Sequence, residues 1–418
     1  MKCSYDRRPL ALAFALALAS FGAQAAAPFE FSYIGQQIVP TGTQFAGTTV
    51  GGLSSIDYVA GSGRYIAISD DRSGFNPARF YEVSLDLNAF ARSATPGMAG
   101  VGFTGVTTLL DTSGAAFATN QVDPEGMRYD ATRNQLYWSN EGQRSGAGFQ
   151  NPTVRSASLD GTYGRDFAVP ARYNPVGSNS GLAAGDSGVY NNLAFENLAI
   201  STDGNTLYAA TENALAQDSL PATAANGSRS RILSFDIESG AAGAEYIYDV
   251  SPVVFAPNPA NGFATNGLTD FIAVGDRQFI TIERSFSLGT PANGIPATGN
   301  TIRLFYADAR NATDVSSFDS IAGQTITAVS KTLLLDLSDL KNDDGSTLSL
   351  DNIEGLTFGP AFDGKQTLIL ASDNNFGATQ FTQFIALEVT AVPEPETYAM
   401  LLAGLALTGF MARRRKAG

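Results

Sequence analysis

One strand–turn–strand unit recurs five times along the chain, and this repeat constrains the fold more than any other feature. Aligned on a Gly/Asn–Leu/Met step, the first two copies are GGLSSIDYVAGSGRYIAISDDR from Gly51 and EGMRYDATRNQLYWSNEGQ from Glu125. The others are ENLAISTDGNTLYAATENA from Glu196, NGLTDFIAVGDRQFITIERS from Asn266 and EGLTFGPAFDGKQTLILASDNN from Glu354. Their starts lie 74, 71, 70 and 88 residues apart. Each copy reads as two strands around a Gly-, Asp- or Asn-rich turn. Two more strand-like runs follow each of the first four copies, for example RFYEVSLDL and GVTTLLDT after the first. The fifth is followed by one alone, TQFIALEV.

Four strands per repeated unit predict an all-β fold, a β-propeller of four-stranded blades. The fifth unit lacks a strand, and one strand, FEFSYIGQQIV, stands unused near the N-terminus. Docking it on the last blade would close the ring and hide two sheet edges. Five blades is therefore the expectation. A six-bladed ring, with a degenerate blade inside the long 266–354 interval, is the alternative.

The units carry acids at matched places. In an antiparallel hairpin the start of the first strand and the end of the second share one end. This pairs Glu125 with Glu141, Glu196 with Glu212, Asn266 with Glu283 and Glu354 with Asp373. In the first unit Gly51 stands in the leading place, and Asp70 and Asp71 follow. With these first strands innermost, all five pairs converge on one channel mouth. Crowded carboxylates raise one another's pKa, so either Arg72, Arg128, Arg144 and Arg284 interleave or hard cations bind. All-oxygen ligands favour Ca²⁺ ahead of Mg²⁺ or Mn²⁺. Glu125, Glu196, Glu354 and Asp373 are the expected metal ligands. Ordinary turn chemistry competes as an explanation for Asp and Asn at strand ends. It explains least well a Glu that directly precedes the aligned Gly/Asn step three times. The Asp160-Gly161, Asp203-Gly204 and Asp363-Gly364 pairs are expected to be plain turns, and Tyr137 and Trp138 to be core. Residues 171–191 and 214–228 are polar loops, the second placed to cover the mouth.

The chain has no histidine, which removes Ser-His-Asp and Cys-His catalysis and imidazole metal ligation. Residues 1–26 combine basic Lys2, Arg7 and Arg8 with an apolar run and an Ala-Gln-Ala cleavage pattern, as a secretory signal does. Cys3, the only cysteine, lies within it. Residues 393–418 open on Pro393-Glu394-Pro395, continue through an apolar run to Ala412, and end on the basic cluster Arg413–Lys416. That order resembles the PEP-CTERM sorting signal. The resemblance implies transient anchoring in the inner membrane by a short transmembrane helix, processing by an exosortase-type protease, and a cell-surface or extracellular destination in a Gram-negative bacterium. The region between, 27–392, has 37 acidic and 19 basic residues, a net charge of −18. Such a surface argues against nucleic acid as a partner and suits divalent cations.

The segments DPEGMRYD, FENLAISTDGNTLYAATENAL and NIEGLTFGP with LILASDNNF resemble the phytase-like family described as esterase-like activity of phytase. The resemblance spans roughly residues 45–390 and implies a secreted propeller that hydrolyses phosphate or carboxylate esters. The rim then suggests a metal-dependent esterase or phosphoesterase. Glu141, Glu212 or Glu283 would serve as base, with Arg144 and Arg284 holding a phosphate. The alternative is a non-catalytic, Ca²⁺-stabilised propeller that binds extracellular polysaccharide or matrix.

Overall fold

The computed structural model describes residues 28–290 and 298–392. The N-terminal signal and the C-terminal sorting segment fall outside the described residues. Among those described, no helix is long and apolar enough to cross a membrane.

The alternation of apolar residues along each strand explains the architecture. Side chains on a strand point to opposite faces in turn, and here both faces are apolar. In the second strand of blade 3, Leu207 and Ala209 pack toward blade 2, while Tyr208 and Ala210 pack toward blade 4. In blade 5, Leu368 and Leu370 join the interface with blade 4, while Ile369 and Ala371 join that with blade 1. A sheet buried on both faces needs a neighbour on each side, and five such sheets satisfy one another by closing into a ring. One large apolar cluster fills each of the five blade–blade interfaces. Tyr137 and Trp138 are both core residues, facing blades 3 and 1 respectively.

Blade 1 comprises Leu53–Val59, Arg64–Ser69, Arg79–Leu85 and Val101–Thr108, in order from the axis outward. Blade 2 comprises Pro124–Asp130, Gln135–Asn140, Thr153–Ala157 and Tyr163–Asp166. Blade 3 comprises Phe195–Ile200, Thr206–Thr211, Ser228–Asp236 and Ala242–Val250. Blade 4 comprises Ala264–Gly275, Gln278–Ser287, Asn300–Asp308 and Ser330–Asp336. Blade 5 takes Asn352–Phe362, Lys365–Asp373 and Thr382–Ala391 from the C-terminal side of the propeller sequence, and its outermost strand, Phe29–Val39, from the N-terminal side. That strand pairs antiparallel from Phe29 opposite Ala391 to Val39 opposite Thr382. The ring is thus five-bladed and closed by the N-terminal strand, as the leftover strand predicts.

Among the described residues, the long fourth interval holds no sixth blade. Its extra residues run along the outer edge of blade 3, where the Val315 and Val329 amides donate to the carbonyls of Glu245 and Ile247. Val315 and Ile321 pack on Ile247, so the segment covers a strand edge that would otherwise be open.

Candidate functional site: an acidic ring at one mouth

The inner hairpins share one register, and that register builds the site. Leu53, Pro124, Phe195, Leu268 and Ile353 stand opposite Ser69, Asn140, Thr211, Glu283 and Ser372. Immediately after each innermost residue the pairing slips by one, so every inner strand carries a β-bulge at the same level. A bulge re-aims its extra residue. The bulge residues are Ser54, Glu125, Glu196, Thr269 and Glu354. On the returning strands, the residues one place after those register partners are Asp70, Glu141, Glu212, Arg284 and Asp373.

Two of the five repeats are therefore offset by three residues from the Gly–Leu alignment. Ser54 and Thr269, and not Gly51 and Asn266, are the counterparts of Glu125. Gly126 and Gly355 follow two of the acids because the inner strands crowd the axis. A Cβ on Gly126 would meet the Asn197 backbone at 2.7 Å, and one on Gly355 would meet Ser55 Cα at 3.1 Å.

The offset relocates two predicted residues. Glu283 stands one place before the ring position, and a one-residue step along a strand turns the side chain to the other face. It accepts from Tyr248 Oη at 2.9 Å and the Ser251 amide at 3.2 Å, and pairs with Lys331, between blades 3 and 4. Arg284 takes the ring position instead. Arg144 lies away from the ring. Its guanidinium donates to the carbonyls of Val176, Ser178, Ser187 and Val189 at 2.6–3.0 Å, which fastens the 171–191 loop. Arg128 points to the axis below the acids and donates to Asp270 at 2.6 Å, to Ser55 Oγ at 3.0 Å and to the Phe271 carbonyl at 3.1 Å. It pins blade 2 to blades 1 and 4.

Glu125, Glu141, Glu196, Glu212, Glu354, Asp70 and Asp373 come together on the ring. One buried acid that pattern reasoning passed over, Asp123, joins them. Its place, two residues before Glu125, has counterparts in Gly52, Ala194, Gly267 and Asn352. The backbone amides of Asp70, Glu141 and Glu212 donate to the carbonyls of Gly52, Asp123 and Ala194 at 2.6–2.9 Å. Small residues here make room for the acids, since a Cβ on Gly267 would fall 2.1 Å from Glu212 Oε1. The acidic Asp123-Pro124-Glu125 triplet was the available signal for Asp123.

Two guanidinium groups enter the ring. Arg284 Nη2 reaches Glu354 at 3.0 Å and Glu212 at 3.3 Å, bridging blades 3, 4 and 5. Arg72 pairs with Asp123, stands 3.9 Å from Glu141, and donates to Asn192 at 2.9 Å. Asn352 Nδ2 donates to Glu354 at 3.0 Å and Asp373 at 3.2 Å. Eight acids thus share two arginines.

Burial is the largest force on these carboxyls and raises all of their pKa values; neighbouring acids add to it. Asp70 is pushed up to about 8 by burial, then by Asp123 and Glu354. Glu212 is pushed up to about 7 by burial, against the pull of Arg284. Burial with Glu196 holds Glu125 well above the usual range, as burial with Glu141 does for Glu196 and Asp123. Asp373 is raised well above by burial and Asp70. Glu141 and Glu354 are raised by burial too, moderated by the Ala194 amide and by Arg284 respectively.

Oxygens of Asp123, Glu125 and Glu141 lie within 4.8 Å of one another. Glu141 is 1 % exposed, yet among the described residues its Oε2 has no hydrogen-bond donor, and Asp70 Oδ1 is likewise buried and undonated. This donor set, all oxygen and anionic, suits a hard divalent cation. Beside the ring a cleft of about 930 Å³ opens over Glu212, Glu354 and Arg284. Pro221 and Ala222, from the loop expected to cover the mouth, form part of its wall.

Comparison with known proteins gives two family matches. Residues 391–416 match the PEP-CTERM protein-sorting motif, which signals an exported, envelope-targeted protein processed by an exosortase. Among solved structures, the chain is similar to an exo-β-1,3-galactanase from Clostridium thermocellum at 12% identity. That match covers 85% of this chain and 63% of the other, with a TM-score of 0.40. A GH43 β-1,3-galactosidase matches at 10% identity and TM-score 0.40, over 84% and 60% of the two chains. A DUF4221 protein from Bacteroides vulgatus matches at 9% and 0.38, over 87% and 99%. No curated protein matches by sequence. Residues 48–376 match the phytase-like family, and the chain belongs to that family, described as esterase-like activity of phytase.

Proposed function

We propose that the protein is a divalent-cation-dependent esterase, acting first on phosphate esters, with its reaction centre in the acidic ring. The observation that carries this reading is the convergence of Asp123, Glu125 and Glu141 oxygens within 4.8 Å, with a buried, undonated oxygen on Glu141. These three residues would hold the cation, with Glu196, Glu354, Asp373 and Asp70 completing the anionic surround. Ca²⁺ fits this donor set best. When bound, such an ion supplies charge to a phosphoryl or carbonyl oxygen and favours a deprotonated water.

The chain's own residues do the rest. Arg284, held between Glu212 and Glu354 on the cleft floor, is placed to pair with an ester anion. Arg72, 31% exposed along its side chain, is the second candidate for that role, in the place expected of Arg144. Glu212, with its pKa raised to about 7, is suited to accept a proton near neutral pH. The family membership supports the reaction class. The test is hydrolysis of aryl phosphate and aryl acetate by the protein with Ca²⁺ and after exhaustive chelation. Activity lost on chelation and in Glu125→Gln supports the reading. Turnover that survives both overturns it, and Ca²⁺-raised thermal stability with no turnover of any ester favours a binding propeller.

A further inference from the structure

We infer that the cleft beside the ring selects esters carrying one acidic group and a flat, apolar ring, and disfavours polyphosphorylated polyols. This rests on the esterase reading above and deepens it by naming the substrate class.

The cleft is lined by two unlike sets of side chains: Glu212, Glu354 and Arg284 are charged, while Phe263, Phe286 and Pro221 are apolar. The Phe263 residue is 66% exposed, and its ring lies 5.9 Å from that of Phe286 at an interplanar angle of 38°. An aromatic ring left this open in the lining of a cleft that also holds charged groups suits a ligand ring that stacks or meets it edge to face. The charge inventory points the same way. Among the described lining residues Arg284 is the only cation, and it already pairs with two carboxylates at 3.0 and 3.3 Å. A single anionic group can pair with that arginine. A polyol bearing several phosphates would set its remaining charges against Glu212, Glu354, Asp351 and an apolar wall. Each of those charges would lose water without gaining a partner.

The experiment separates the ring subsite from the chemistry by measuring binding without turnover. Calorimetry with Ca²⁺ present would compare 1-naphthylmethylphosphonate, methylphosphonate, glucose 6-phosphate and myo-inositol hexakisphosphate, none requiring cleavage to report. The naphthyl ligand should bind at least tenfold more tightly than methylphosphonate or glucose 6-phosphate, and more tightly than the hexakisphosphate. Phe263→Ala and Phe286→Ala should each reduce the naphthyl preference by about tenfold, the scale of a lost aromatic contact, leaving methylphosphonate affinity unchanged. Phe263 is exposed, so its variant should keep the wild-type melting temperature. No naphthyl binding, a preference unaltered by either substitution, or tighter binding of the hexakisphosphate overturns the inference. Naphthyl binding that depends on Phe263, with no ester hydrolysed under any condition, leaves the subsite standing and removes the esterase reading alone.

Discussion

Replacing Arg284 with methionine should destabilise the propeller by an amount that depends strongly on pH. Arg284 is the one cation built into the ring positions, and its side chain is 11% exposed against 2% for Glu212 and 8% for Glu354. At a separation of about 4 Å and an effective dielectric of about 20, one such charge pair is worth about 4 kcal/mol. Removing one partner of a buried pair costs about 3–5 kcal/mol when the other must stay charged. A carboxyl escapes that cost by taking a proton. At pH 5 Glu212 is already protonated, because burial holds its pKa at about 7. The loss there should shrink to about 1–2 kcal/mol, the scale of a hydrogen bond to a charged group. At pH 8 Glu212 would be ionised in the wild type, and the loss should approach the full figure. Urea unfolding in EDTA at the two pH values reads this directly. Equal losses at pH 5 and pH 8, or none at pH 8, would refute the idea that Arg284 neutralises these acids.

Further outcomes follow from the same geometry. Asp70 and Glu212 have folded-state pKa values above their ordinary ones, about 8 and about 7. Their contribution to stability is complete below about pH 4 and is lost as pH rises toward 8. Wild-type urea midpoints in EDTA should therefore fall from pH 5 to pH 8.5, and Ca²⁺ should flatten that slope. Arg128→Met should cost about 3–5 kcal/mol by stranding Asp270, 1% exposed along its side chain, and Arg128→Met with Asp270→Leu should recover much of that loss in denaturation curves. Glu283→Gln should lower stability by about 1–3 kcal/mol through its contacts with Tyr248 and Lys331. It should leave cation affinity within twofold of wild type, whereas Glu141→Gln should weaken it at least tenfold by titration.

Much of the fold was legible because a propeller writes itself as a repeat. Turn residues and apolar runs marked nearly every strand, and the unpaired N-terminal strand identified how the ring closes. The acids were legible where the bulge residue is Glu, as at Glu125, Glu196 and Glu354. Units 1 and 4 carry Ser54 and Thr269 there, and a nearby Gly–Leu step drew the alignment three residues away. That shift made Glu283 look like a ring acid, although one residue decides which face a strand side chain takes. Asp123 was hidden because its orientation depends on the segment leading into the inner strand, not on the repeat. Arg144 and Arg128 looked like rim cations because each lies near an acid in sequence. Their actual partners, the 171–191 loop and Asp270, are set by tertiary contacts across the ring.

Binding of a divalent cation by the converged acids is read by calorimetric titration of Ca²⁺ into the chelator-stripped protein at pH 7.5. Acids whose pKa values are raised must give up protons to bind metal. The titration should therefore show saturable binding, an apparent enthalpy that varies with the ionisation heat of the buffer, and loss of both in Glu125→Gln and Glu141→Gln. No saturable heat at millimolar Ca²⁺, no buffer dependence and an unchanged melting temperature would contradict it.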